Sequence, residues 1–181
     1  MRVIGIDPGS RVCGYGVLEA QNGKVTHLSS GCIAPKSTLP LNQRLKVIYD
    51  SLLEVIERHS PDVMSIEDIF FAKNPKSAIK LGQARGVAIL AGSNCGITIY
   101  EYAPTKVKLA LTGRGRANKE EVQDMLSRLL GVENWETQDV SDAVAIAFCH
   151  INISHIEEKL GREFVQTRRR RRRFTIDDLP S

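Results

Sequence analysis

The sequence lacks several features that would assign it to a specialised class of protein. It has only four cysteines among 181 residues, and none of them forms a CxxC pair or another metal-ligand spacing. The cysteines therefore predict free thiols in a reducing compartment, not a disulfide framework or a zinc site. No Ser or Cys occurs in a nucleophile motif such as GxSxG, so a covalent hydrolytic mechanism has little support.

Long hydrophobic runs are also absent. No apolar stretch approaches the roughly 18 residues that would indicate a membrane span. The first ten residues, MRVIGIDPGS, lack the charged start, long apolar middle and small-residue cleavage site of a secretion signal. We therefore expect a cytoplasmic protein without a membrane partner.

Excess positive charge is confined to one segment. The formal net charge is +4, from 25 Lys and Arg against 21 Asp and Glu, and a run of six arginines at 168–173 contributes +6. The rest of the chain therefore carries a net charge of −2. We predict one folded domain over residues 1–160 and a basic, disordered tail over 161–181. A flexible polycation attracts phosphate backbones of any sequence, which is consistent with a nucleic-acid partner.

Hydrophobic patterning predicts that strands alternate with helices after an initial hairpin, whose turn is Asn22-Gly23. The strands are predicted at residues 2–7, 14–19, 24–34, 62–67 and 97–102. The helices are predicted at residues 41–59, 76–93, near 105–111, after a cap at 118 and over 139–160. This order predicts a mixed α/β sheet with helices on its faces.

Two acidic residues end predicted strands. Asp7 follows the apolar run RVIGI, and Glu67 ends DVMSIE. The carboxyl ends of strands in open α/β sheets line the ligand crevice, and buried acids are rare unless they are paired or bound to metal. Taken alone, Asp7 is explained more simply as a turn residue that accepts hydrogen bonds. Two such acids together indicate a shared site.

A second acidic pair opens the last helix. Asp139 and Asp142 lie three residues apart in DVSDAVAIAFCH, on one side of the first turn. Capping accounts for Asp139, but less well for Asp142, because the helix that follows is apolar on almost every side. With Asp7 and Glu67 they form an all-oxygen ligand set, which selects Mg²⁺ or Mn²⁺. Two such ions, about 3.5–4 Å apart, can clamp a scissile phosphate.

Four long segments resemble one protein family in order along the chain. They are GIDPGSRVCGYGV at 5–17, IEDIFFAKNPKSAIKLGQARGVAILA at 66–91, EYAPTKVKLALTGRGRANKEEVQDML at 101–126 and DVSDAVAIAFCH at 139–150. They are similar to the RuvC family of bacterial Holliday-junction resolvases. The arginine run and the final FTIDDLPS lie outside the resemblance.

The resemblance implies a ribonuclease-H-like fold and a homodimer whose two active sites cut opposed strands of a four-way DNA junction. Such enzymes act in recombination and repair and leave 5′-phosphate and 3′-hydroxyl nicks that ligase can seal. The implied catalytic and metal-binding residues are Asp7, Glu67, Asp139 and Asp142, with two Mg²⁺ per site. Some members carry His where Asp139 stands. The implied partners are a junction-binding protein and a branch-migration motor in the bacterial cytoplasm, at the nucleoid.

Basic and aromatic residues near these segments are candidate DNA contacts. Solvated surface charge explains any one of the cations, but their grouping favours phosphate contact for several. By resemblance, Phe70 stacks among bases near the crossover, and Lys106 and Lys119 are the preferred phosphate contacts. The predicted DNA contacts are Phe70, Lys76, Lys80, Arg85, Lys106, Lys108, Arg114, Arg116 and Lys119.

Two alternatives compete with a resolvase. GIDPGS also looks like the first phosphate loop of sugar kinases and actin-like ATPases. That class needs a second phosphate loop, an adenosine-binding segment and a much longer chain, none of which we find. The other alternative is a junction-binding protein that has lost catalysis, and the four carboxylates argue against it.

Overall fold

The computed structural model describes residues 1–68 and 75–160 of the chain. The strands are β1 (Arg2–Asp7), β2 (Cys13–Gln21), β3 (Lys24–Ile33), β4 (Val63–Glu67) and β5 (Thr98–Tyr102). The helices are α1 (Leu41–His59), α2 (Pro75–Asn94), α3 (Pro104–Thr112), α4 (Lys119–Leu130) and α5 (Gln138–Leu160). The predicted contact Phe70 and the predicted tail at 161–181 lie outside the described residues.

The five strands form one sheet in the order β3-β2-β1-β4-β5. The first three strands pair antiparallel, while β4 runs parallel to β1 and β5 runs parallel to β4. The predicted mixed α/β sheet is therefore confirmed. Its central strand, β1, is flanked on both sides, which explains why its apolar residues have no exposed surface.

Helices cover both faces of the sheet, and the alternation along β1 decides which core each residue joins. Ile4 and Ile6 pack in a cluster with residues of α1 and α2. Val3 packs on the other face with residues of α3, α4 and α5. The result is a three-layer domain with α5 lying directly across β1 and β2.

Local sequence signals set several element boundaries as predicted. Asn22 and Gly23 both have positive φ, at 52° and 76°, which is the backbone that a two-residue hairpin turn requires. Asn118 and Glu121 form a reciprocal capping box at the start of α4, because each side chain accepts from the other's backbone N–H. These turns and caps are confirmed.

Helix α2 presents small residues to the fold and larger apolar residues to solvent. Ala84, Ala88 and Ala91 are fully or almost fully buried, so this side of the helix packs closely on the rest of the fold. On the outer face, Ile79 is 63% exposed and Leu90 is 51% exposed. None of the helices in the described residues is both long enough and apolar enough to cross a membrane.

Candidate active site

The sheet itself brings the first two acids together. Asp7 is the last residue of β1, and Glu67 is the last residue of β4. These strands are parallel neighbours, with Ile6 opposite Ile66, so both acids leave the sheet at the same edge. This is the position at which open α/β sheets form their ligand crevice.

Paired glycines bring the second acidic pair to the same edge. Gly5 and Gly16 face each other across β1 and β2, beneath α5. A Cβ at Gly5 would overlap the backbone of Ala143, and a Cβ at Gly14 would overlap the carbonyl oxygen of Asp139. Because these positions carry no side chain, α5 lies against the sheet backbone, and its first turn stands beside Asp7.

One cavity of about 370 Å³ connects the four acids. Each acid is half-buried, so each keeps one side open to this space. The cavity is lined by Asp7, Glu67, Pro104, Val107, Lys108, Lys119, Val122, Gln138, Asp139, Asp142, Ala145 and Ile146. Three distant segments of the chain therefore converge on one acidic pocket. Gln138 is a polar lining residue that the sequence analysis did not single out.

Burial and mutual repulsion alter the protonation of two of these acids. Burial, together with the charges of Glu67, Asp142 and Asp139, raises the pKa of Asp7 to about 7. Burial, and then the charge of Asp142, also raises the pKa of Glu67. The pocket therefore holds more negative charge than the protein itself neutralises, which is typical of a site for a cation.

Two lysines face this acidic pocket. Lys119 Nζ lies 3.2 Å from Asp142 Oδ2, and its charge lowers the pKa of Asp7. Lys108 lines the same cavity. Lys106 is placed differently, because its Nζ lies over the Tyr102 ring at 5.3 Å from the centroid. Of the two lysines favoured by resemblance, the structure therefore puts Lys119 at the pocket and Lys106 outside its lining.

Arg85, a predicted DNA contact, is turned into the protein. Its Nε donates to the carbonyl oxygen of Glu67 at 3.1 Å, and its Nη2 lies 2.5 Å from Glu101 Oε2 on β5. Only 18% of its side chain is exposed. These contacts oppose the prediction of a phosphate contact, because the guanidinium is engaged by Glu101 and Glu67. Its position fits a residue that holds the end of β4.

The other predicted DNA contacts are exposed. Lys76 and Lys80 project from the first turns of α2. Arg114 lies in the loop between α3 and α4, where its Nη2 is 2.8 Å from Glu121 Oε1. Arg116 is exposed in the same loop. All four cations are therefore accessible to solvent.

His150, which closes the last motif, lies away from the pocket. It is 3% exposed, its Nδ1 is 2.7 Å from the Tyr102 hydroxyl, and its Nε2 is 3.3 Å from the Ser154 hydroxyl. Burial lowers its pKa to about 4. This histidine is therefore hydrogen-bonded within the core.

The donor set fits a hard divalent cation. The four acids all offer oxygen ligands, and among the described residues no His or Cys lines the cavity. Within residues 1–68 and 75–160, no group of three or more His, Cys, Asp or Glu side chains is arranged to hold a metal ion as it stands. Coordination therefore requires side-chain rotation toward a common point within the pocket, from backbone positions that share one cavity.

Comparison with known proteins assigns the family. The family described as "Crossover junction endodeoxyribonuclease RuvC" matches residues 3–150. The chain belongs to the RuvC family. Membership confirms the resemblance seen in the sequence, with its ribonuclease-H-like fold, and it sets aside the ATPase alternative. It also implies dependence on a divalent metal.

Individual relatives support this membership over most of the chain. A crossover junction endodeoxyribonuclease RuvC from Tolumonas auensis is 48% identical over 160 residues, covering 88% of this chain and 90% of that protein. The RuvC of Trichlorobacter lovleyi is 42% identical over 169 residues, covering 93% and 95%. A structure of Thermus thermophilus RuvC in complex with Holliday junction substrate is 34% identical, with a TM-score of 0.82 and coverage of 86% and 96%.

Proposed function

We propose that this protein is a Holliday-junction resolvase that hydrolyses phosphodiester bonds at symmetric positions in four-way DNA junctions and leaves ligatable nicks. The observation that carries the proposal is the single cavity in which Asp7, Glu67, Asp139 and Asp142 meet. The RuvC membership of the chain supports the substrate, since a Thermus thermophilus relative was solved in complex with a Holliday junction.

The four carboxylates are the proposed ligands of two Mg²⁺ ions, for which Mn²⁺ can substitute. Oxygen ligands without thiolate or imidazole favour these hard cations. When bound, the ions lower the pKa of water and offset the negative charge that develops on the phosphate. Asp7, with a pKa of about 7, gives up its proton in binding. Asp139 is the ligand we expect to be replaceable by His.

Two lysines complete the proposed chemistry. Lys119 and Lys108 border the acids on the α3–α4 side of the cavity and lower the pKa of Glu67. We propose that their ammonium groups contact a phosphate that enters the pocket and so orient the scissile bond against the carboxylates. We assign phosphate contacts outside the pocket to Lys76, Lys80 and the loop cations Arg114 and Arg116.

A homodimer is the proposed assembly, because paired cuts need two active sites. The outer face of α2 offers a surface for it: Ile79 and Leu90 are mostly exposed, and Gly82 and Gly86 have open space where a side chain would project. Leu90→Glu is expected to shift the protein from dimer to monomer in analytical ultracentrifugation. A Leu129→Glu control changes an equally exposed leucine on α4, at 48%, and should leave the dimer intact.

Residues 161–181 are proposed to add sequence-independent DNA affinity through their arginine run. Deletion after Gln166 should weaken binding to any DNA at low salt and preserve nicking. Complete loss of nicking would give this segment another role. We further propose action in the bacterial cytoplasm, at the nucleoid, with a junction-binding protein and a branch-migration motor as partners.

The decisive experiment compares a synthetic immobile four-way junction with a linear duplex of matched sequence, each with Mg²⁺ or with chelator. We expect paired, symmetric nicks in the junction alone, and only with Mg²⁺. Cutting of both substrates would indicate a general nuclease, and binding to the junction without cutting would indicate a structural protein.

A further inference from the structure

A groove leads away from the acidic pocket across the turn between β1 and β2. Its first part, about 580 Å³, is lined by Gly9, Ser10, Arg11, Val12, Ser77, Lys80, Leu81 and Asp139. Its second part, about 340 Å³, is lined by Ser10, Arg11, Pro35, Ser37, Arg44 and Lys80. The two parts share three residues, and the first part shares Asp139 with the acidic pocket. We call these two adjoining cavities the side groove.

The side groove carries positive charge that the described part of the protein does not neutralise. Arg11 and Lys80 are exposed, and neither forms an ion pair with a carboxylate of residues 1–68 or 75–160. Within the described part of the chain, Asp139 is the single acid in the groove lining. Lys119, by contrast, is paired with Asp142. Uncompensated cations held beside one another attract an anion.

Several separate elements build the side groove, and three of them supply its cations. The turn after β1 supplies Ser10 and Arg11, while Ser77 and Lys80 come from the first turns of α2. Arg44 of α1 braces the turn, because its Nη1 donates to the Ser10 carbonyl oxygen at 3.0 Å. The hydroxyls of Ser10 and Ser77 add neutral donors beside the cations. Cations and hydroxyls along one channel are the groups that contact phosphate oxygens.

We propose that the side groove binds the backbone phosphate next to the scissile phosphate on the cleaved DNA strand, with Arg11 and Lys80 as its contacts. The inference rests on the proposed function, because it takes the acidic pocket as the place of cleavage. Asp139 links the two cavities, so a strand that enters the pocket continues into the groove. Arg11 thereby becomes a DNA contact that lies only four residues after Asp7 in the chain.

Salt dependence of junction binding tests the groove in an Asp7→Asn background, which keeps the DNA intact. Arg11→Ala with Lys80→Ala removes two groove cations. Lys24→Ala with Arg128→Ala removes two exposed cations that line neither the groove nor the acidic pocket. The groove pair is expected to reduce the slope of log K against log salt by about 2, and the control pair to change it little.

Ethylation interference on the same junction locates the contact. In the parent, ethylation of the phosphate next to the cleavage position is expected to weaken binding. In the groove variant that single position should lose its effect, while interference at other phosphates persists. Arg11→Lys, which keeps the charge, should retain the parental pattern and shows that loss of charge, not misfolding, is responsible.

The outcomes separate this inference from the proposed function. Suppose that the wild-type protein cuts junctions with Mg²⁺, but the groove variant keeps the salt slope and the interference pattern of its Asp7→Asn parent. The groove proposal is then wrong, and the resolvase proposal stands. If the groove and control pairs lose affinity equally, the groove is ordinary surface charge. If the groove variant no longer binds an acidic protein but its DNA binding is unchanged, the groove binds an acidic peptide and the DNA proposal is wrong. Failure of the wild-type protein to cut junctions overturns the resolvase proposal.

Discussion

The first turn and the middle of α5 differ in how far the protein compensates their polar side chains. In the middle, His150 is neutral and hydrogen-bonded to Tyr102, and burial lowers its pKa to about 4. At the first turn, Asp139 and Asp142 stand beside Asp7, whose pKa burial and neighbouring carboxylates raise to about 7. One region is satisfied by the protein alone, whereas the other requires an external cation.

This difference separates stability from function along a single helix. The contacts of His150 with Tyr100 and Tyr102 hold α5 against β5 and contribute to the stability of the fold. The acidic turn costs stability, because four carboxylates share one cavity in which Lys108 and Lys119 are the only cations among the residues that the structure describes. Binding sites commonly retain unfavourable charge that a ligand relieves. Changes at the two regions should therefore have opposite effects on the free energy of unfolding.

The largest expected effect comes from removing an acid from the pocket. Asp7→Asn should lower the rate of junction cleavage by about 10³-fold or more, because a metal ligand is lost. Junction binding should change little, since it depends on the basic residues. Single-turnover cleavage and gel-shift assays measure the two quantities. Asp124→Asn, on the exposed face of α4, is the matched control and should cleave normally. Loss of binding together with cleavage would contradict this separation of roles.

Acid should remove the stability that His150 contributes. Its pKa is about 4 in the folded protein and 6.5 in the unfolded chain, so this contribution is complete above pH 6.5 and is lost as the pH falls to about 4. The loss amounts to at most about 3 kcal/mol. Urea unfolding of the wild type and of His150→Phe at pH 7.5 and 4.5 measures it. A stability difference between the two proteins that does not depend on pH would refute the assignment.

A substitution at Arg85 should shift Glu67, at the end of β4, without replacing any of the four acids. Arg85→Met removes the donor to the Glu67 carbonyl and the partner of Glu101, so kcat should fall about tenfold with junction affinity retained. Arg85→Lys should recover part of kcat by keeping the ion pair. A fall in affinity and in the salt slope, with kcat unchanged, would instead support the original prediction of a phosphate contact.

The smallest expected effect is a gain in stability. Without metal, the raised pKa of Asp7 destabilises the folded protein increasingly as the pH rises from 3.8 to about 7. Asp7→Asn should therefore raise the free energy of unfolding by about 1–2 kcal/mol at pH 8 with chelator, and by almost nothing at pH 4. The gain is smaller than the roughly 4 kcal/mol equivalent to the full pKa difference, because solvent in the open pocket screens the charges. Added Mg²⁺ should stabilise the wild type more than the variant. Equal free energies of unfolding for both proteins at pH 8 would show that the carboxylates do not destabilise one another.

Much of the acidic pocket was predictable because its signals are local. Asp7 and Glu67 end apolar runs, and Asp139 and Asp142 open a helix, so the sequence alone indicates strand ends and a helix start. That these positions meet depends on the parallel pairing of β1 with β4, which follows from the α/β pattern as a general rule. Their convergence was therefore expected from the chain before any distance was known.

The orientation of basic side chains was not predictable. Lys106 and Lys108 are two positions apart on α3 and therefore project in different directions, and only the packing of the helix shows which of them lines the pocket. Arg85 reads as an ordinary surface cation, because its partner Glu101 lies on a strand that only the folded sheet brings near. Arg11 was not among the predicted DNA contacts, because its position as a candidate contact depends on the groove formed with α2.

The glycines beneath α5 have a consequence for how the enzyme tolerates change. Most helices rest on a layer of side chains that can repack when one of them is replaced. Here the backbone of α5 meets the backbone of β1 and β2 at Gly5, Gly14 and Gly16, and no such adjustable layer exists. A library that varies these three positions should yield few active clones, even among those that remain folded, because each added methyl group lifts the ligand-bearing turn off the sheet.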